Sequence, residues 1–386
     1  MSRAAARRLH GGRGMSPSLI LFAVPAFFAL IGVELWLCRR RGRRDYRFSD
    51  ALANLSCGVG QQVIVSVVSG GVLVHLFLFE RAALARLPDG ALWSWAACFV
   101  AVDFCYYWAH RASHRVNFMW AAHAVHHQSE DYNLSVALRQ SWLQRALYWP
   151  FFWPLSVLGF PPGMVVTTYT LNILYQFWIH TQLVGRLGPL EWVLNTPSHH
   201  RVHHGVDSAY LDRNHGGVLI VWDRLFGTFC AEGAPPRYGV VQPLASFSAL
   251  RANVDPWRRL ARMAAAEPRL SGKLLVWLRP PEWRSTATPP DGGPLRTDPD
   301  YVLHDVARPR RARALAAALF LAALLGAIAY LYASPAMAAG PLWAGAAVLL
   351  AALAVVGALL DGPSLPAPAQ GAAAASSPKE LPISPA

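Results

Sequence analysis

Five histidines fall between His110 and His127: His110, His114, His123, His126 and His127. Downstream, His200, His203 and His204 repeat the i, i+3, i+4 spacing of His123, His126 and His127. On a helix such positions share a face, so each group is expected to aim its imidazoles at one point. Neutral imidazole ligates Fe, Zn, Cu and Ni, and eight of them exceed a single tetrahedral or octahedral sphere. Two metals in one pocket is the simplest reading. His180, His199 and His215 stand nearby as further candidates. Asp103, on the helical face of His110, and Glu130, just after the second group, are candidate carboxylates for holding a ligand's free N–H. Arg139 and Gln140 are candidates for a lipid headgroup.

The elements that position these residues read as a membrane protein. Hydrophobic residues make up 54% of the 386. Apolar runs long enough to span cover Met15 to Cys38, Ser56 to Phe79, Ala91 to Ala109, Ala314 to Ala333 and Ala338 to Leu360. Leu143 to His180 is apolar but broken by Pro150, Pro154, Pro161 and Pro162, which suggests a hairpin dipping into the bilayer. The net charge of +13 is mostly arginine at the ends of these runs, which argues topology and not nucleic-acid binding. Arginines between Arg39 and Arg47 and between Arg308 and Arg313 place those segments, and the histidines with them, in the cytoplasm by the positive-inside rule. This suggests a bacterial inner membrane. Arg3, Arg7, Arg8 and Arg13 pull the other way, a conflict that a start at Met15 removes.

The fold expected is therefore an all-α integral membrane protein, its transmembrane helices capped by a cytoplasmic helical di-metal domain. Its parts are an anchor region (1–90), a catalytic domain (91–230) holding the hairpin (143–180), an interfacial amphipathic region (231–313), a transmembrane pair (314–360) and a disordered tail (361–386). The aromatic triplets at 106–108 and 151–153 read as interfacial belts.

The five cysteines are scattered and form no CxxC pair, so neither a disulfide framework nor a cysteine-bearing structural zinc site emerges. A zinc-dependent membrane hydrolase would want a glutamate base as in HExxH, and the chain has no such string. A metal transporter would spread ionisable residues along the spans, whereas these gather at one end. Haem would ask for lone facing histidines instead of triplets. Two irons able to use dioxygen suit an enzyme whose spans deliver the unactivated C–H bond of a lipid.

HRASH (110–114), HAVHH (123–127) and HRVHH (200–204) resemble the three histidine boxes of the fatty acid hydroxylase and sterol desaturase superfamily, membrane-bound di-iron oxygenases. The resemblance runs from about Asp103 to Phe229. DFCYYWAHRASH, SEDYNLSVALRQS, GGVLIVWDRLFGTF and YGVVQPL (238–244) are most similar to its alkylglycerol monooxygenase branch. Members of that branch hydroxylate the carbon beside an ether oxygen, with tetrahydropterin as reductant. The resemblance implies two Fe ions held by the eight boxed histidines, with His180 where relatives often have one more ligand. It also implies a lipid substrate and an external electron donor of reduced pterin, cytochrome or ferredoxin type. Relatives commonly read NYG where this chain has Asn214-His215-Gly216.

Overall fold

The computed structural model describes residues 16–68, 70–283 and 294–362. The N-terminal arginines, the choice between Met1 and Met15, and nearly all of the expected tail lie outside them. The described residues form helices and no strand, with two isolated bridges, Leu194 to Leu219 and Gly205 to Tyr238.

The helices are α1 (Ser16–Arg40), α2 (Phe48–Val67), α3 (Gly70–Ala82), α4 (Leu92–Arg115), α5 (Asn117–His127), α6 (Gln144–Leu158), α7 (Pro162–Trp178), α8 (Pro197–His203), α9 (Val221–Leu225), α10 (Ala249–Ala266), α11 (Leu270–Leu278), α12 (Arg310–Ala333) and α13 (Ala339–Asp361). By length and composition, Arg310–Ala336 and Ala339–Asp361 can each cross a bilayer. Their outward faces carry Leu321, Leu325, Val348 and Val355 exposed, as lipid contact requires. The run expected as one span from Ser56 to Phe79 is instead divided. α2 starts earlier and stops at Val67, and α3 begins anew within the Gly70-Gly71 pair, which favours a break over continued helix.

α12 and α13 pack on each other and on α2 through Leu52, Ala53, Phe320, Leu353 and Val356, so the pair is joined to the rest of the bundle. α6 ends at Gly159, whose φ of +102° and close approach to the Ala85 carbonyl both require the absence of a Cβ. Pro162 then opens α7, its fixed φ suited to a first turn.

Several expectations change in the packed structure. Tyr106, Tyr107 and Phe152 are buried in the core and do not form interfacial belts. α10 turns Leu260, Met263 and Ala264 against Ala121 of α5 and Val276 of α11, so its apolar face supports the histidine helix and is not left for lipid. α11 keeps Leu270, Leu274 and Leu278 exposed. Glu34, near the end of α1, accepts from Leu134 N (2.8 Å) and Thr181 Oγ1 (2.5 Å), tying α1 to the segments that follow α5 and α7.

Candidate metal centre

α4 runs without a break through His110 and His114, placing both rings on one face. At Val116 the backbone becomes extended (φ −127°, ψ 119°) and α5 starts in a new direction, carrying His123, His126 and His127. His180 follows the end of α7, and α8, opened by Pro197, brings His200 and His203 with His204 as its last cap.

The ligand nitrogens of His110, His114, His123, His127 and His203 lie within 4.8 Å of one another, as do those of His126, His180, His200 and His204. All nine side chains are buried. The second and third boxes are each divided between the two groups. The i, i+4 pairs His123/His127 and His200/His204 stay together, while the i+3 residues His126 and His203 point to the opposite group. The groups adjoin, with the His127 and His204 rings stacked at 4.3 Å.

Ring orientation makes these groups fit cations. His126 Nδ1 lies 3.0 Å from the Arg139 carbonyl, and His180 Nδ1 lies 2.7 Å from the Gln176 carbonyl. A carbonyl only accepts, so each Nδ1 carries the proton and each Nε2 presents a lone pair. These two lone pairs face each other across 3.3 Å, where no hydrogen bond can form between them. His110 and His123 repeat the pattern. Their Nδ1 atoms meet the His215 carbonyl (2.8 Å) and the Gln144 side-chain oxygen (3.2 Å), and their Nε2 atoms stand 3.0 Å apart. His114, His203 and His204 each bury an Nε2 with no hydrogen-bond partner. Converging buried lone pairs are costly without a positive charge between them, and a cation held at each group would supply it.

Burial, then the crowding of neighbouring imidazoles, pushes His110, His123, His127, His200, His203 and His204 well below the usual imidazole range. The rings are therefore neutral and ready to ligate at neutral pH.

His215 borders the first group, its ring 5.0 Å from that of His114, but it lies outside both ligand sets. Its contribution is the backbone carbonyl that orients His110. His199 stands apart, against Phe229 and 3.9 Å from Glu191. Neither expected carboxylate holds a ligand's N–H. Asp103 accepts from Asn172, Val218 N, Leu219 N and Trp222, pinning the loop after His215. Glu130 accepts from Tyr301 and His304 N, fixing the segment before α12. Both carboxylates are already occupied, Asp103 by two backbone and two side-chain donors and Glu130 by His304 N, Tyr301 and Arg47.

The acidic partner that sequence reasoning missed is Asp212, whose Oδ1 lies 3.5 Å from His114 Nδ1 while Oδ2 accepts from Arg115 at 2.6 Å. Burial alone would raise its carboxyl, but the bonds to His114 and Arg115 bring it down to about 2. Asp212 has φ +56° and Asn214 φ +57°, a left-handed bend that Asp and Asn tolerate better than most residues. The Asp-Arg-Asn run after the third box was the available signal. Arg139, expected at a lipid headgroup, is buried and donates to Val125 O, Asn54 and Gln128 at the end of α5.

Cavities flank the centre on two sides. A cavity of about 420 Å³ lies among α1, α2, α6, α7 and α12, its walls formed by residues such as Phe27, Val59, Ile173 and Ile328. A smaller space of about 100 Å³ shares Ile173, Gln140 and Tyr169 with it and reaches His123, His126 and His180. Across the histidines, a more polar pocket of about 690 Å³ is lined by His114, His127, His203, Asp212 and Arg262.

Two adjoining sets of buried imidazoles in a bundle of helices, two of them long and apolar enough to cross a bilayer, have the arrangement of a histidine-box metal site. Residues 95–228 match the family model described as fatty acid hydroxylase. It is 41% identical to the alkylglycerol monooxygenase of Xenopus tropicalis over 269 residues, which is 69% of this chain and 60% of that protein. It is likewise 41% identical to the human alkylglycerol monooxygenase over 271 residues, again 69% and 60%. An ornithine lipid hydroxylase of Rhizobium tropici is 30% identical over 151 residues, 36% of this chain and 41% of that protein. The chain thus spans about three fifths of the alkylglycerol monooxygenases it matches. No solved structure matches it.

Proposed function

We propose that the protein is an oxygen-dependent lipid monooxygenase with two irons, one in each histidine group, and that its substrate is an alkyl lipid, with alkylglycerol ether cleavage the leading reaction. Bound iron supplies the means to oxidise an unactivated C–H bond with dioxygen and two electrons. One oxygen atom goes to the lipid carbon and the other leaves as water. A hydroxyl placed beside an ether oxygen makes a hemiacetal, which separates into an aldehyde and an alcohol.

The observation that carries this reading is the position of the histidines between an apolar cavity among the spans and a polar pocket on the other side. The chain's own residues orient and exclude. The carbonyls of Arg139, Gln176, His215 and Arg213 hold the Nδ1 protons of His126, His180, His110 and His203, keeping Nε2 free for metal. The cavity walls keep water from the reacting carbon. The polar pocket suits a water-soluble electron donor, of pterin, cytochrome or ferredoxin type. Arg47 donates to Asp131 (2.9 Å) and to the His304 carbonyl (2.7 Å), so both arginine-rich segments sit at the end of the bundle that holds the site. By the positive-inside rule we assign that end to the cytoplasm, in a bacterial inner membrane.

The names of the relatives support the same reaction class. The test is iron analysis of purified protein together with mass spectrometry of lipids from cells with and without the gene. Redox-active metal and a gain of one oxygen, or loss of ether lipid, are expected. Active protein free of redox metal would refute the proposal.

A further inference from the structure

Arg145 lies one residue beyond Gln144, whose side chain holds His123, and lines both the apolar cavity and the small space that leads to the histidines. Its guanidinium makes no hydrogen bond or salt bridge with any described residue, and its electrostatic neighbour is the phenol of Tyr169 in the same wall. This sets it apart from Arg47, Arg139 and Arg201, each saturated by carboxylates, carbonyls or amides. Arg145 is half-buried, and a cation at a wall shared with Trp149, Tyr169 and Ile173, with no counter-charge of its own, is stabilised by a ligand that brings one. Guanidinium pairs best with the planar or tetrahedral oxygens of carboxylate and phosphate.

We infer that Arg145 is the anchor for an anionic lipid headgroup, carboxylate or phosphate, whose alkyl chain fills the cavity among α1, α2, α7 and α12. Gln61, Gln62 and Gln140 border the same junction and supply amide groups for the neighbouring polar atoms of the lipid. Arg145 lies where the cavity meets the histidines, so the headgroup end of the lipid adjoins the metal centre and the oxidised carbon is among the first beyond the polar group. An alkylglycerol bearing a phosphate meets this requirement. The inference rests on the monooxygenase reading for its substrate, and it makes Arg145 a determinant of specificity.

The experiment measures equilibrium binding of three sixteen-carbon probes to the purified full-length protein in nanodiscs of neutral phosphatidylcholine: hexadecyl phosphate, palmitate and hexadecylglycerol. In the wild type, one or both anions bind tighter than the neutral probe, and which anion leads identifies the headgroup. Arg145→Gln is expected to weaken the anions by about tenfold or more, as loss of a charge-assisted pair implies, while leaving the neutral probe within about twofold. Arg145→Lys retains most of the preference. A wild type in which neither anion binds tighter than hexadecylglycerol overturns the assignment without recourse to any variant, and so does equal weakening of all three probes in folded Arg145→Gln. Iron content and oxygenated product are scored separately on the wild type, so failure of the monooxygenase reading shows there and not in the ranking of probes.

Discussion

Arg139 holds His126 from two directions: its carbonyl accepts from His126 Nδ1 at 3.0 Å, and its guanidinium donates to the carbonyl of Val125, one residue earlier, at 2.7 Å. One residue thereby fixes both the tautomer of a ring in the candidate metal centre and the end of the helix that carries it.

Replacing Arg139 by Ala leaves buried acceptors on Asn54 and Gln128 unpaired and leaves the Val125 carbonyl only its long bond from Gln128 N (3.4 Å), with an expected loss of about 2 to 4 kcal/mol of stability. Thermal unfolding measures this, and a variant as stable as the wild type would remove Arg139 from the account.

Asp212→Asn should weaken metal binding at the group containing His114 by roughly 10- to 100-fold, because the carboxylate that holds His114 is neutralised. The group of His126, His180, His200 and His204, which Asp212 does not touch, should keep its affinity. Competition with a chelator should show one weakened ion of two, and a uniform loss would contradict the separate roles of the groups.

His127→Ala is expected to empty the first group preferentially and to abolish turnover, while His200→Ala should do the same from the second. Iron per chain, measured beside oxygen consumption, distinguishes them from simple misfolding if each retains about one ion.

Acid should destabilise the metal-free protein. Burial, opposed by the bond to the Arg139 carbonyl, lowers the folded-state value of His126 to about 4, and the other boxed rings for which a shift is resolved are lowered too. In the unfolded chain an imidazole titrates near ~6.5, so below that pH the unfolded state binds more protons. Stability is therefore full above that value and is lost as pH falls toward 4. Asp131, raised first by burial and then by Asp50, and Asp223, raised by burial to about 6, work in the opposite sense, but the lowered imidazoles outnumber them. Melting temperatures of chelator-treated protein from pH 7.5 to 5 should fall, and a flat profile would count against neutral buried rings.

Filling the cavity should separate lipid from metal. Ile173→Trp, in the wall shared by the apolar cavity and the space before the histidines, is expected to raise KM for long-chain lipid by about tenfold or more with iron content unchanged. Iron loss in that variant would show that the wall and the centre are not independent.

The three boxes were legible because helical spacing and residue type coincide there, and the two C-terminal apolar runs marked the described helices long and apolar enough to cross a bilayer. The division of HAVHH and HRVHH between two foci was not, since the offset of an i+3 ring matters only once α4, α5, α7 and α8 are packed. Asp103 and Glu130 misled because sequence proximity says nothing of the backbone N–H groups that reach a carboxylate first. Gly70-Gly71 did mark the break between α2 and α3, though a charge-free run masked it. Arg145 was hidden inside a segment read only as a hairpin, because its lack of a partner is a property of the fold.

α12 supplies Leu324, Ala327, Ile328 and Leu331 to the wall of the lipid cavity, and it leaves the ribosome after every histidine ligand. A nascent chain can thus gather its imidazoles before it owns a closed compartment for an acyl tail. Under the proposed function, the site and the compartment for its substrate are brought together only when synthesis has passed α12.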